Sequence, residues 1–180
     1  MSGDASDHVR VAIVGAGFSG LCMAIRLKQE GFTDFAVLER AEELGGTWRD
    51  NTYPGCQCDI PSALYSFSFA PNPDWTRFYP RQAEIRDYLR RCARDFGVIP
   101  WIRLGHEVVR ADWDEAEHRW RLETSHGSVT ADVLVGAMGG LSEPSTPDIP
   151  GISTSNTASG NRARASVSRA VCPDGAASTL

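Results

Sequence analysis

The chain has 180 residues, of which 42% are hydrophobic and 23% charged, and a formal net charge of -5 at pH 7. That length and composition fit one ordinary globular domain. The acidic balance excludes a nucleic-acid partner, which needs a basic footprint, and no stretch approaches the ~20 apolar residues of a membrane span.

The first element in chain order is HVRVAIVG, His8 to Gly15, an apolar strand that runs straight into GAGFSG. In that turn Gly15 permits the tight strand-to-helix reversal, Gly17 lets backbone approach a pyrophosphate, and Gly20 lets the next helix pack on the sheet. The helix starts near Phe18. Its first turn, Phe18, Ser19 and Gly20, aims unpaired N–H groups and a positive dipole end at the phosphates. Leu21, Ile25 and Leu27 mark its apolar side, and Gly31 is a plausible stop. A glycine-rich turn with no ligand is the competing reading, and the strand and amphipathic helix on either side weigh against it.

Phe35 to Leu38 reads as a second strand, ended by Glu39, 19 residues past Gly20. That is about the separation at which a carboxylate accepts from an adenosine ribose 2′-hydroxyl. It would repel a 2′-phosphate, so the site prefers FAD or NAD over NADP. A surface pair between Glu39 and Arg40 is the blander alternative.

The third signal is GGTWRDNTYPGCQCD, residues 45–59. Glycines at 45 and 46 let backbone come close to a flat ring system, and Trp48 and Tyr53 offer faces that exclude water. GGTW, then YPG, then Asp59 closely resembles the flavin-proximal segment of the class B flavoprotein monooxygenases, the Baeyer–Villiger and related flavin-containing N- and S-oxygenating enzymes. The resemblance implies an FAD cofactor contacted by Gly46, Thr47, Trp48, Tyr53 and Asp59. It also implies NADPH as reductant, and insertion of one oxygen atom of O2 into a small organic substrate through a flavin C4a-peroxide. Asp59 takes, by the same resemblance, the catalytic position that orients a partner arginine; a carboxylate alone carries the wrong charge to stabilise a peroxyanion. Tyr65 matches a cofactor-facing position and reads equally well as aromatic filler in LYSFSF. Arg49 and Asp50 depart from the pattern, standing where several members carry aromatics.

Residues 71–96 resemble the family again, as a Trp-anchored loop followed by a helix with Ile85, Tyr88, Leu89, Cys92 and Phe96 on one face. Arg86, Arg90, Arg91 and Arg94 form its solvated side. Four short runs with strand character follow, Trp101 to Leu104, Glu107 to Trp113, Arg119 to Glu123 and Ser128 to Val135, read as a small antiparallel meander laid over the parallel sheet. The resemblance places Val108 against the adenine. His106, His118 and His126 sit in turns without metal-ligand spacing, and no metal is expected. Val133 to Ala137 reads as a buried parallel strand, after which Gly139 brings a second glycine turn to the cofactor. Met138 stands where the family usually has Thr. Pro144, Pro147 and Pro150 fit an extended crossing.

From Ser153 to Leu180 the chain has no Phe, Trp, Tyr, Glu, Gln, Lys, His or Met. Such text cannot build a core. The family's FxGxxxHxxxW fingerprint and second GxGxxG are both absent from it. The expected organisation is therefore a disordered N-terminus over 1–7, a Rossmann-like α/β FAD-binding domain over 8–151, and a disordered or aberrant, out-of-frame tail over 152–180. The domain is expected to be incomplete on its C-terminal side, leaving an unpaired sheet edge and a chain inactive without the NADPH domain. Five cysteines, with Cys56 and Cys58 in CxC rather than CxxC spacing, argue against a disulfide framework, and reduced thiols fit a cytoplasmic protein. The remaining alternatives are a non-catalytic FAD-binding fragment and another FAD-dependent oxidoreductase of the glutathione-reductase-like group.

Overall fold

The structure, a computed structural model, describes residues 7–141. Expectations for the first six residues, the proline-rich crossing and the tail lie outside the described residues.

Six strands form one sheet: β1 (Asp7–Val14), β2 (Phe35–Leu38), β3 (Ile102–Arg103), β4 (Val108–Asp114), β5 (Arg119–Thr124) and β6 (Gly127–Gly136). The helices are α1 (Phe18–Gln29), the single-turn α2 (Thr47–Asp50) and α3 (Gln82–Asp95). The sheet order is β3-β2-β1-β6-β5-β4; the first four strands are parallel, and β6-β5-β4 are antiparallel.

Residues 11–14 of β1 and the whole of β2 are continuous apolar runs because both of their faces are covered. Val11 and Ile13 of β1, with Phe35 and Val37 of β2, face a core shared with α1 and α3; Ala12 and Val14, with Ala36 and Leu38, face a second core. Onto the first core α1 lays Leu21, Ala24 and Ile25, all fully buried. Leu21 and Ile25 each contribute about 2–3 kcal/mol of transfer free energy. Helix α3 adds Tyr88, Leu89, Cys92 and Ala93, and buries Ile85 one turn earlier. Tyr88 donates to Ala70 O and accepts from Phe67 N, both at 2.8 Å, which staples the 67–70 loop to α3. Burial pushes its phenol far above the ordinary range, so it stays a donor.

The meander covers the second face: Val108, Ala111, Trp120 and Leu122 pack with Ala12, Ala36 and Leu38. It is nonetheless continuous with the parallel sheet, because β6 is one strand serving both. Gly127–Ala131 pair with β5, and the strand runs on to Gly136 beside β1. The two runs read separately at 128–135 and 133–137 are thus a single element. Beyond Ala131 the outer edge of β6 meets no strand among the described residues.

Three further expectations need correction. The strand read as buried at Val133 to Ala137 is not: Val133 is 49% exposed, and β6 has no buried residue beyond Ala131. Trp101 to Leu104 is not a meander strand. It is a 3₁₀ turn, Ile99–Trp101, leading into β3, which pairs parallel to β2. Trp101 decides this: its ring stacks on Phe35 at 5.4 Å, its indole N–H donates to Thr33 O at 2.7 Å, and the Lys28 ammonium lies 5.3 Å from its centroid. Asp7, assigned to a disordered terminus, begins β1 opposite Val129, and its carboxylate is ion-paired with Arg103.

Candidate cofactor site

At the C-terminal ends of β1 and β2 three segments meet. Gly15 N donates to Leu38 O at 2.8 Å, and Ala16 N to the Glu39 carboxylate at 2.8 Å. Gly45 N donates to Ala16 O at 2.9 Å, which draws the second glycine loop onto the first. The glycine turn, Glu39 and the Trp-bearing loop are therefore one hydrogen-bonded unit.

The glycines in it have different reasons. A Cβ on Gly20 would lie 1.8 Å from Gly15 O, and one on Gly15 would lie 2.6 Å from Ala137 O, with φ already at +103°. These two are dictated by the protein's own packing. A Cβ on Gly17 would meet only Gly46 Cα, at an ordinary 3.7 Å. The protein leaves room for a side chain there, so a glycine is required only if something else approaches. Gly17 also N-caps α1, which has no side-chain cap and no acidic residue in its first turn, with Ser19 exposed. Such an N-terminus is suited to an anion. Gly46, at φ +53°, abuts Gly17: its own Cβ would sit 3.2 Å from Gly17 Cα. Backbone left open beside Gly17, at an uncapped helix start with a second glycine backbone packed against it, fits the diphosphate of a dinucleotide.

Glu39 is only 4% exposed. Its Oε2 accepts from Ala16 N; its Oε1 accepts from Ala41 N at 3.0 Å and from the Arg49 guanidinium at 2.8 Å. The ion pair of Glu39 is with Arg49, from the next loop. Arg49 also forks onto the Asp50 carboxylate through Nε (2.7 Å) and Nη2 (3.0 Å) and donates to Glu43 O at 2.6 Å. Burial, the largest influence on this guanidinium, pulls its pKa down, but the bonds and charges of Asp50 and Glu39 outweigh it and raise it above the usual value.

Thr47 opens α2, and Trp48 follows it. The Trp48 indole N–H donates to Tyr65 Oη at 3.0 Å, with the rings edge to face at 5.7 Å. Phe18 packs edge-on to Tyr65 at 5.1 Å, so Phe18, Tyr65 and Trp48 line one wall at the start of α1. Burial pushes the Tyr65 phenol up, opposed by the bond from Trp48. Buried Gln82 of α3 donates to Trp48 O and fixes the loop from below.

The other candidates are more dispersed. Tyr53 is 62% exposed and lines a hollow of about 250 Å³ with Cys56, Arg81 and Gln82, and it shares no ring contact with Trp48 among the described residues. Asp59 is exposed on its loop, near enough to Tyr65 to help raise its phenol. Val108 is half-buried against the second core, in the strand that follows His106, whose N–H donates to Glu39 O at 2.8 Å. Gly139, at φ +70°, is exposed just beyond the Ala137–Met138 segment that passes Gly15.

Comparison with known proteins accords with this geometry. Residues 13–81 match the NAD(P)-binding Rossmann-like domain family. A Baeyer–Villiger monooxygenase of Streptomyces coelicolor is 58% identical over 148 residues, 82% of this chain and 28% of that protein. One from Pseudomonas aeruginosa is 48% identical over 149 residues, again 82% and 28%. Cyclohexanone monooxygenase from Rhodococcus sp. Phi1 bound to NADP+ superposes with a TM-score of 0.76 at 34% identity, over 83% of this chain and 29% of that one. The chain is homologous to the N-terminal portion of Baeyer–Villiger monooxygenases.

It spans about 28% of the length of the curated Baeyer–Villiger monooxygenases it matches. Within this family frame, sequence reasoning passed over two residues that the structure puts at the site. Arg49 was visible only as a departure from the aromatic pattern, and nothing in the spacing shows that it folds back onto Glu39. Gln82 is the first residue of α3, where the apolar stripe of the helix carries no sign of a polar side chain turned inward.

Proposed function

We propose that this chain is the FAD-binding part of an NADPH-dependent Baeyer–Villiger-type flavoprotein monooxygenase, which inserts one atom of O2 into a ketone. The observation that carries the reading is the joining of the glycine turn, Glu39 and the Gly45–Trp48 loop around a slot that protein packing leaves open beside Gly17. FAD supplies the oxygen-activating chemistry when bound.

The chain's residues bind, orient and exclude water. The first turn of α1 and Gly17 hold the diphosphate, and Glu39 accepts from the adenosine ribose. Gly46 and Thr47 approach the flavin end, where Phe18, Trp48 and Tyr65 form an apolar wall against solvent. Asp59 orients an arginine of the complete enzyme, and Val108, Gly139 and Tyr53 complete the rim. NADPH and ketone sites rest with parts of the relatives' length that this chain does not span. The cysteine pattern, CxC rather than CxxC with an odd total of five, suits reduced thiols and a cytoplasmic protein. Among the described residues no helix is long and apolar enough to cross a membrane.

The test is to reconstitute the full 180-residue chain with FAD, remove free flavin and record the visible flavin band, then add NADPH. A flavin-coloured chain that NADPH does not bleach is expected. A colourless chain would overturn the FAD assignment, and bleaching would overturn the placement of the nicotinamide site elsewhere.

A further inference from the structure

Glu39 is a ribose ligand with little capacity to spare. A carboxylate has about four acceptor positions; three are filled by Ala16 N, Ala41 N and Arg49 Nη1. The Arg49 side chain is 14% exposed and that of Glu39 5%, so neither charge is relieved by water. Arg49 is held in turn by the Asp50 fork and by Glu43 O. Its Cα lies in α2, whose start is fixed by the Gly45–Gly46 turn: Trp48 N and Arg49 N donate to Gly45 O (3.1 Å) and Gly46 O (2.9 Å). Arg49 thus links the orientation of the acid that reads the adenosine to the loop that meets the other end of the dinucleotide.

Resting on the reading of Glu39 as the ribose ligand, we propose that Arg49 is a positioning residue for adenosine recognition: it fixes the Glu39 carboxylate so that its remaining acceptor position faces the 2′-hydroxyl. The three donors leave one lone pair on Oε2 and none on Oε1, so the site distinguishes a hydroxyl from its absence through a single, fully oriented bond. Removing the guanidinium leaves a buried carboxylate without countercharge and with Oε1 held by Ala41 N alone. The acid then stays near the ribose, with the direction of its bond fixed less tightly. A lysine at 49 keeps the charge but cannot fork onto Asp50 while bonding Glu39.

The experiment compares binding of FAD and of its 2′-deoxyadenosine analogue to the full chain, its Arg49→Met and Arg49→Lys variants, and Glu39→Gln. A hydrogen bond to a charged group corresponds to about a tenfold or greater preference for FAD over the deoxy analogue in the unmodified chain. That ratio is expected to fall below about threefold in Arg49→Met and in Glu39→Gln, and to be intermediate in Arg49→Lys. If Arg49→Met weakens both ligands equally and the ratio stays at the unmodified value, Arg49 only stabilises the loop and the proposal is overturned. Equal binding of both ligands by the unmodified chain would overturn the ribose role of Glu39 and the proposal with it. Absence of FAD binding by the unmodified chain would overturn the FAD assignment itself.

Discussion

A glycine can be required by the protein or by its ligand, and Gly20 and Gly17 illustrate the two cases. Gly20→Ala forces a Cβ to within 1.8 Å of Gly15 O, and is expected to prevent folding of the α1 start. Gly17→Ala meets nothing closer than 3.7 Å, so its thermal midpoint without FAD should stay within a few degrees while FAD affinity falls about tenfold or more as the methyl fills the diphosphate slot. Equal loss of stability in both variants, read by circular dichroism melts, would show that Gly17 is a packing glycine. The three-glycine spacing was legible in the sequence because it is local: Gly15 and Gly20 answer to the packing of the turn itself, and Gly17 to what approaches it. Arg49 was not, since a long side chain's direction depends on where α2 sits, and α2 is a single turn with no periodicity to read.

At the scale of elements, α1, β2 and α3 were legible because apolar spacing and a stop glycine specify them locally. β3 was legible as a strand within Trp101 to Leu104 but not in its place: two residues carry no pattern that says which partner they take, and the position beside β2 comes from Trp101 stacking on Phe35. The same tryptophan neighbourhood holds α1 to the end of α3. Lys28 donates to Phe96 O (2.8 Å) and Gly97 O (2.9 Å), satisfying carbonyls at the helix C-terminus, while lying over Trp101. Lys28→Met, which keeps the stem, should cost about 1–2 kcal/mol in urea denaturation; an unchanged midpoint would mean that water replaces those bonds. In the β4–β5 turn the Asp114 carboxylate accepts from Glu117 N (3.0 Å), Ala116 N (2.9 Å) and Arg121 Nε (2.7 Å). These bonds, the one from Glu117 foremost, hold its pKa below the usual value. A carboxyl lowered in the folded state stabilises above its unfolded pKa, and the benefit disappears as pH falls through the folded one. Asp114→Asn should therefore be less stable than the unmodified chain at neutral pH and converge with it in acid. A difference that persists undiminished in acid would contradict this linkage.

Across the whole molecule, two cores on opposite faces of one sheet carry the site at their common rim. The first comes from α1 and α3. The second depends on the meander, where Leu122 is 1% exposed beneath the sheet. Leu122→Ala should cost about 2–4 kcal/mol and loosen Val108 and the approach to Glu39 together. The overall α/β architecture was legible from the order of apolar runs, but not the sharing of β6 between the meander and the parallel sheet, because a continuous strand leaves no break in the sequence where its partner changes. The proposed function puts a single adenine-dinucleotide slot at the rim of both cores, and a calorimetric titration of the full chain with FAD, repeated in the presence of ADP and of riboflavin, tests that most directly. A one-to-one isotherm that ADP displaces and riboflavin leaves unchanged is the expected result. Absence of FAD binding, or binding indifferent to ADP, would contradict it.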